Sequence, residues 1–291
     1  MASFKPGDRV AAFHEMLTPH GSFSSCAVAP ASTTFHLSPN ISFEEGATIP
    51  LAAMTAALGL YQRLELPLPW LPVQSRTPLV IYGAASAVGA FAVKLARLSG
   101  IHPLICVAGR GKSFVETLIE REKGDTVVDY RDGDEAVVAG LKNALGKGEK
   151  LKYAFDAVSD KGSYQNLGKV MDEEEGRITF VLPRKKYDGV ADGVQKSFTQ
   201  VGKVHSDRFP GLKGEKSREG LLGDQEFGEV MYGFLGRGLA KGWFKGHPFE
   251  VVQGGLEGIE GALRNLKEGK ASAVKYVFRI EENEGVPRAN I

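Results

Sequence analysis

The middle of the chain alternates short, continuously apolar runs with longer segments that carry apolar residues on one helical face. From residue 78 onward the runs predict strands, and the longer segments, of about ten residues each, predict helices. The predicted strands are 79–82, 103–107, 125–129, 153–158 and 177–182, and the predicted helices are 87–98, 114–122, 135–144 and 163–171. Strands that alternate with such helices form βαβ units. This part of the chain therefore predicts an α/β fold with a doubly wound parallel sheet.

The first 40 residues follow a different pattern, in which proline and glycine separate short apolar segments. The strands predicted there are 9–13, 21–29 and 34–37. Short strands with such punctuation are typical of a small β-barrel or sandwich. Ser42 then starts a capping box, because Glu45 follows three residues later, and a helix is predicted at 52–64.

The last third of the chain begins with a glycine-rich loop region at 183–225 that surrounds one strand. The elements predicted after it are helices at 227–244 and 256–266 and a strand at 274–280. A length of 291 residues suggests about two domains. We place a sheet domain at 53–243 and build a second domain from residues 1–52 and 244–291, so that the C-terminal elements join the N-terminal strands.

Composition narrows the classes of function. The chain is 43% hydrophobic and 24% charged, as in ordinary globular proteins, and its net charge is +1. A near-neutral chain lacks the basic surface that attracts nucleic acid or an anionic membrane, so neither is expected as a partner. The 36 glycines exceed the usual share of about 7%, which indicates tight turns and close approaches of the backbone.

Neither a signal peptide nor a membrane span is predicted. Charged residues stand near the N-terminus where a signal peptide needs an apolar stretch, and the uncharged windows 46–62 and 77–93 fall just short of the roughly 18 apolar residues of a span. Cys26 and Cys106 are the only cysteines, and the six histidines lack metal-ligand spacing, so we interpret the histidines as scattered surface residues. We expect a cytoplasmic protein without bound metal.

The clearest chemical signal is the segment 81–89, IYGAASAVG, which predicts a strand, a tight turn and a helix start. A dinucleotide pyrophosphate binds at such a turn because the helix N-terminus offers N–H groups and the positive end of its dipole. Compared with the G-x-G-x-x-G fingerprint, Ala84 and Ser86 replace the first two glycines and Gly89 remains. The alternative is a turn with a structural role alone. Its position at the start of the first βαβ unit favours a dinucleotide.

The end of the second predicted strand lacks the acid with which an NAD site binds the ribose hydroxyls. Residues 107–113 contain Arg110 and Lys112, and the first carboxylate after them is Glu116. These two cations either bind a 2′-phosphate or are solvated residues at a helix start. NADPH (NADP+) is therefore favoured over NADH. The missing acid also weighs against a methyltransferase, and no tyrosine has the Tyr-x-x-x-Lys spacing of short-chain dehydrogenases.

Six segments that follow one another along nearly the whole chain resemble the medium-chain dehydrogenase/reductase superfamily. They are 6–10 (PGDRV), 42–50 together with 54–56, 127–131 (VVDYR), 155–158 (FDAV), 254–259 and 268–275. The resemblance is greatest to the metal-free NADPH branch, which contains quinone oxidoreductases and enoyl reductases. It implies a Rossmann NADP-binding domain at 53–243 and a partial GroES-like β-barrel domain from 1–52 and 244–291, with substrate in the cleft between them. The cysteine and histidine ligands of zinc-dependent members have no counterpart here.

The resemblance also implies roles for individual residues. The cofactor-binding residues would be Gly83, Ser86, Ala87, Val88 and Gly89 at the pyrophosphate, Arg110, Lys112 and Tyr130 at the 2′-phosphate, and Val181, Leu182 and Pro183 at the nicotinamide. Thr55 would be the catalytic-site residue near the nicotinamide amide. Thr55 could instead bond its own helix carbonyl, and Tyr130 could instead be an aromatic side chain that packs on the adjacent helix.

The implied reaction is reduction of an activated C=C bond or a quinone by hydride transfer from NADPH, without metal. The substrate would be a small enone, quinone or enoyl compound, and a homodimer is left open. Members of the family have several strands before the segment that starts here at Pro6, so we expect part of the catalytic barrel to be missing. The alternative is an NADPH-binding protein with little or no turnover, which self-associates through unpaired strand edges.

Overall fold

The computed structural model describes residues 4–183, 186–205 and 223–282. Its strands are β1 (Val10–Ala12), β2 (Thr34–His36), β3 (Leu79–Tyr82), β4 (Leu104–Ala108), β5 (Thr126–Asp129), β6 (Tyr153–Asp156), β7 (Arg177–Phe180), β8 (Gln195–Phe198), β9 (Phe249–Val252) and β10 (Lys275–Phe278). Its α-helices are α1 (Phe43–Ala47), α2 (Pro50–Ala57), α3 (Ala87–Leu98), α4 (Lys112–Glu116), α5 (Asp134–Leu145), α6 (Ser163–Gly168), α7 (Asp224–Lys241) and α8 (Ile259–Lys267).

Six strands form one parallel sheet in the order β5-β4-β3-β6-β7-β8. The central strand β3 places Leu79 opposite Leu104 on one side and opposite Tyr153 on the other. Counted from β3, this is the 3-2-1-4-5-6 order of the dinucleotide-binding Rossmann sheet. The predicted doubly wound parallel sheet is therefore confirmed, and the strand expected within 183–225 is β8, at one edge of the sheet.

The strands of the sheet centre are apolar along their whole length because both faces are covered. All residues of β3 and β4 are buried. On one face, Val80 and Val107 share a hydrophobic cluster with Leu141 of α5 and Leu167 of α6. Each fully buried side chain of this size stabilises the fold by about 1.5–3 kcal/mol relative to an exposed one. Continuous burial explains why these strands read as apolar runs and not as alternating ones.

The chain folds into two compact units. Of the described residues, 55–183 and 186–200 form one unit, which holds the six-stranded sheet with α3 to α6. Residues 4–54, 201–205 and 223–282 form the other. Helix α7 belongs to this second unit, whereas the predicted sheet domain extended to residue 243.

The second unit contains two separate pairs of strands. Strands β1 and β2 are antiparallel, with Val10 opposite His36, and β9 and β10 are parallel, with Phe249 opposite Lys275. No helix among the described residues combines the length and the apolar character that crossing a bilayer requires.

The structure shows one of the two hydrogen bonds expected for the capping box before α1. The Ser42 hydroxyl accepts a hydrogen bond from the Glu45 N–H at 3.0 Å, as predicted. The Glu45 carboxylate, however, accepts from the N–H of Gly246 at 2.8 Å, and so joins α1 to the segment before β9.

Three predicted elements differ from the structure. The strand predicted at 21–29 is wrong, because local bonds such as Ser24 Oγ to the Gly21 carbonyl form turns there. The helix predicted at 114–122 ends at Glu116. The helix predicted at 52–64 is α2 followed by a π-helical segment, Leu58–Arg63. Strand β9 was not predicted, because its residues are half-buried or exposed and give no clear apolar pattern.

Candidate cofactor site

The turn between β3 and α3 is built on backbone that only glycine adopts easily. Gly83 has φ +78°, and a Cβ there would lie 2.6 Å from Val158 Cγ2. The N–H groups of Gly83 and Ala84 both donate to the carbonyl of Val107 at 3.0 Å, which fixes the turn to β4. Gly83 is therefore required by conformation and by space.

Gly89 lets α3 begin directly beside the end of β3. A Cβ at this position would lie 2.3 Å from the Gly83 carbonyl oxygen, which is closer than any side chain tolerates. Ser86 is the N-cap, and its hydroxyl accepts from the Gly89 N–H at 3.0 Å. This close approach of strand, turn and helix is the role of the third glycine in the dinucleotide fingerprint.

Ser86, Ala87 and Val88 lie at the N-terminal end of α3, as predicted for the pyrophosphate contacts. The first turn of the helix carries no acidic side chain, so the positive end of the helix dipole is not neutralised there. The turn and the N-terminal end of α3, which Gly89 allows to begin directly beside β3, fit the pyrophosphate of a dinucleotide.

The loops that follow β4 and β5 lie side by side, because Ala108 of β4 is opposite Asp129 of β5. A Cβ on Gly109 would lie 2.4 Å from Cζ of the Tyr130 ring, so that the ring packs directly over this glycine. Arg110 is exposed and Lys112 is the first residue of α4. The structure thus brings the predicted trio of Arg110, Lys112 and Tyr130 to one edge of the sheet.

This edge also carries an ion pair that the sequence did not reveal. Asp129 Oδ1 accepts from the N–H and the Nε of Arg131 at 3.0 and 2.9 Å, and Oδ2 accepts from Nη2 at 2.6 Å. These hydrogen bonds hold the pKa of Asp129 below its ordinary value, at about 2, and the positive charge of Lys112 acts in the same direction. The only signal of this ion pair in the sequence was the spacing of Asp129 and Arg131, two residues apart within the segment 127–131.

The segment after β7, predicted to contact the nicotinamide, is held by a serine. Ser159 Oγ accepts from the Val181 N–H at 2.9 Å and donates to the Asp156 carbonyl at 2.9 Å. The Asp156 carboxylate in turn accepts from the Ser159 N–H at 2.7 Å and from Ser163 Oγ at 2.7 Å. Ser159 is buried with φ +56°, a strained conformation that these bonds stabilise.

Tyr187 holds the same segment from the other side. Its hydroxyl donates to the Leu182 carbonyl, and its ring stacks on Phe180 with centroids 3.6 Å apart. Burial raises the pKa of Tyr187 to about 12, so the hydroxyl remains a donor at neutral pH. Tyr187 and Ser159 were both missed, because neither lies in a recognisable motif.

The remaining predicted site residues are Thr55, Leu182 and Pro183, and they differ in burial. Thr55 is buried in α2, within the unit that holds the sheet. Leu182 and Pro183 are both exposed. These positions do not test the role of Thr55 near the nicotinamide amide, which stays a prediction.

Histidine and cysteine residues do not cluster in the part of the chain that the structure describes. No group of three or more His, Cys, Asp or Glu side chains there could hold a metal ion. The interpretation of all histidines as surface residues is wrong, since His102 and His247 are buried. His102 Nδ1 lies 2.8 Å from Asp125 Oδ1. Burial also raises the pKa of the Cys106 thiol.

No family model matches the chain, but individual known proteins are similar to it. The chain is 48% identical over 260 residues to the trans-enoyl reductase fsr4 of Gibberella fujikuroi, a match that covers 89% of this chain and 72% of that protein. It is 31% identical over 287 residues to the trans-enoyl reductase ACTTS2 of Alternaria alternata, which covers 96% of this chain and 78% of that protein.

A solved structure shares the fold. The quinone oxidoreductase from Thermus thermophilus, determined also as its complex with NADPH, matches 94% of this chain and 78% of its own chain, with a TM-score of 0.60 at 19% identity. The sheet order, the phosphate turn and the two relatives agree with the resemblance of the six sequence segments. The chain belongs to the trans-enoyl reductases of the medium-chain dehydrogenase/reductase superfamily.

Proposed function

We propose that the protein is an NADPH-dependent enoyl reductase, which reduces an activated C=C bond of a small molecule by hydride transfer without a metal. The names of its relatives support the enoyl substrate, and the quinone oxidoreductase of the same fold supports a quinone as a second acceptor class. The observation that carries the proposal is the phosphate turn at Gly83–Gly89 beside the basic edge of Arg110 and Lys112.

The residues of the sheet unit have the chemistry that this cofactor needs. The N-terminal turn of α3 would bind the pyrophosphate, and Arg110, Lys112 and Tyr130 would bind the 2′-phosphate. The backbone of Val181 to Pro183 would line the nicotinamide, with Thr55 near its amide. The bound cofactor supplies a hydride from C4 of the nicotinamide. We propose that the unit with residues 4–54 is the substrate-side, GroES-like domain.

The contribution of the chain itself is positioning. Ser159 and Tyr187 hold consecutive residues, one at the Val181 N–H and the other at the Leu182 carbonyl. A segment held at the peptide groups on both sides of the Val181–Leu182 peptide keeps its carbonyls and N–H groups in one orientation. A nicotinamide ring bound against this segment would be held in one position relative to the substrate, which lowers the entropic cost of the reaction.

The test combines binding with turnover. NADPH and NADH are titrated against the protein by fluorescence, and loss of the reduced-nicotinamide absorbance is then followed with a panel of enones, enoyl thioesters and quinones. We expect tighter binding of NADPH and turnover with at least one enoyl compound. Binding without any turnover would favour the alternative of a nucleotide-binding protein, and absence of binding would contradict the site.

Arg110→Glu sharpens this test of the cofactor. A charge-assisted contact to the 2′-phosphate contributes about 1.5–3 kcal/mol, which corresponds to about ten- to a hundredfold in NADPH affinity. NADH, which lacks that phosphate, should bind nearly as before. The matched control is Arg264→Glu, which makes the same charge change on the exposed side of α8 in the other unit. Equal affinity of the unmodified protein for both nucleotides would refute the NADPH assignment.

A further inference from the structure

The edge proposed to bind the 2′-phosphate contains a carboxylate as well as cations. Asp129 ends β5 opposite Ala108, and its position beside the loop of Arg110 and Lys112 follows from that register. The side chain of Asp129 is 9% exposed and is covered in part by Arg131. The charge of Lys112 adds to the lowering of the pKa of Asp129, in agreement with this position.

A free carboxylate at this place would favour the wrong nucleotide. A phosphate monoester carries about −1.5 to −2 charges at neutral pH, and a carboxylate nearby repels it. A carboxylate beside the adenosine ribose is also the group with which NAD sites bind the ribose hydroxyls. Asp129 would in addition compete with the phosphate for Lys112.

Arg131 removes this conflict within the same short loop. Its guanidinium binds both oxygens of Asp129, and its backbone N–H adds a third bond to Oδ1. Two-pronged pairing of this kind is the strongest geometry that an arginine and a carboxylate adopt. The two residues are separated by Tyr130 alone, whose ring covers Gly109.

We propose that Arg131 is a specificity-determining residue, which acts through Asp129: by neutralising this carboxylate it makes the edge accept a 2′-phosphate, and without it the edge favours a nucleotide that lacks that phosphate. This inference rests on the proposed NADPH function and deepens it. Arg131 acts by neutralising the charge of Asp129. Its substitution should therefore change the ratio of the NADPH and NADH affinities and not lower both affinities equally.

The experiment compares four variants with the unmodified protein. They are Arg131→Gln, Asp129→Asn, the double variant, and Arg121→Gln. Arg121 pairs with Glu116 and contacts the Asp125 carbonyl at the other end of β5, so it is a charge-matched control away from the edge. Dissociation constants are measured for NADPH and NADH, and for 2′,5′-ADP and 5′-AMP, which carry the adenosine end alone.

We expect Arg131→Gln to weaken NADPH and 2′,5′-ADP about tenfold while NADH and 5′-AMP bind equally or more tightly. Asp129→Asn releases Arg131 and should keep or raise NADPH affinity. The double variant, with neither charge, should return the NADPH-to-NADH ratio to within about threefold of the unmodified protein. Arg121→Gln should leave the ratio unchanged.

Three outcomes overturn the inference. An equal loss for all four ligands in Arg131→Gln, without recovery in the double variant, would mean that the pair only maintains the loop. An unchanged ratio in Arg131→Gln, in a protein that prefers NADPH, would mean that Asp129 exerts no influence, and the proposed function would stand. Equal affinities in the unmodified protein would overturn the NADPH preference itself and the inference with it.

Discussion

At the residue scale, Gly89 shows that a single methyl group decides whether the phosphate turn can form. Helix α3 begins so close to the end of β3 that residue 89 has no room for a side chain. A methyl group on Gly89 would overlap the carbonyl oxygen of Gly83, and backbone atoms cannot rotate away as side chains do. Either α3 or the turn would have to move.

Gly89→Ala should therefore destabilise the fold by about 1–3 kcal/mol and weaken dinucleotide binding at least tenfold. Gly233→Ala is the matched control, since it is a glycine in the middle of α7 with no atom within 4 Å of an added Cβ. There the change should be neutral or stabilise the helix by up to about 1 kcal/mol. Thermal unfolding and nucleotide titration measure both effects. Equal destabilisation by the two changes would contradict the close approach.

Tyr187 provides a second test at this scale. Tyr187→Phe keeps the ring that stacks on Phe180 and removes the hydroxyl that binds the Leu182 carbonyl. We expect a stability loss of about 1 kcal/mol and a fall in kcat, with little change in NADPH affinity, because the phosphate contacts lie elsewhere. Single-turnover kinetics beside titration separates the two quantities. A fall in NADPH affinity that matches the fall in kcat would argue against a role confined to the segment 181–182.

At the element scale, Glu120 connects the end of α3 with the loop that leads into β5. Its carboxylate binds Lys123 of the loop and Arg97 of α3, which hold the pKa of Glu120 at about 2 against an ordinary value of 4.5. A carboxyl group with a lowered pKa in the fold stabilises it above pH 4.5. That contribution is lost as the pH falls toward 2, because the unfolded chain takes up the proton first.

Glu120→Gln should therefore flatten the loss of stability between about pH 5 and pH 2. The free energy of unfolding, measured by denaturant titration at several pH values, tests this. Glu260→Gln is a suitable control, since Glu260 pairs with Arg264 at an exposed position on α8 and should contribute little. An identical pH profile for Glu120→Gln and the unmodified protein would contradict the proposed linkage.

The elements that the sequence predicted well are those whose environment is uniform along their length. Strands β3 and β4 are covered on both faces, so their apolar runs marked them to within one residue. Strand β9 is half exposed, and the serine-rich segment at 21–29 makes local turns, so in both places pattern and structure diverge.

The residues of the candidate site likewise fall into those that a local sequence pattern predicted and those that it did not. The phosphate turn is local in sequence, and a nine-residue pattern was enough to predict it. Ser159 binds the Val181 N–H, which only the folded sheet brings to it. Asp129 pairs with Arg131 in its own loop, but its position beside the loop of Arg110 and Lys112 comes from the pairing of β4 with β5. Tyr187 lies in a loop region without periodicity. Prediction of these contacts required the three-dimensional order of the strands.

At the scale of the whole molecule, the absence of a metal from the reaction is a prediction that can be measured. Cys26 is exposed and Cys106 is buried, and the described part of the chain offers no cluster of metal-binding side chains. Metal analysis of the purified protein should find far less than one zinc per chain, and a chelator should leave turnover intact. A stoichiometric zinc whose removal abolishes activity would overturn the metal-free mechanism.

All residues proposed to bind the nucleotide belong to the unit that holds the sheet, from Thr55 to Pro183. Mutations in residues 4–54 and 223–282 therefore change none of the residues proposed to bind the nucleotide. Such a division lets a lineage change the compound it reduces while its reductant stays the same. Amino-acid substitutions among related chains should accordingly be few around Gly83 to Gly89 and more frequent in residues 4–54 and 223–282.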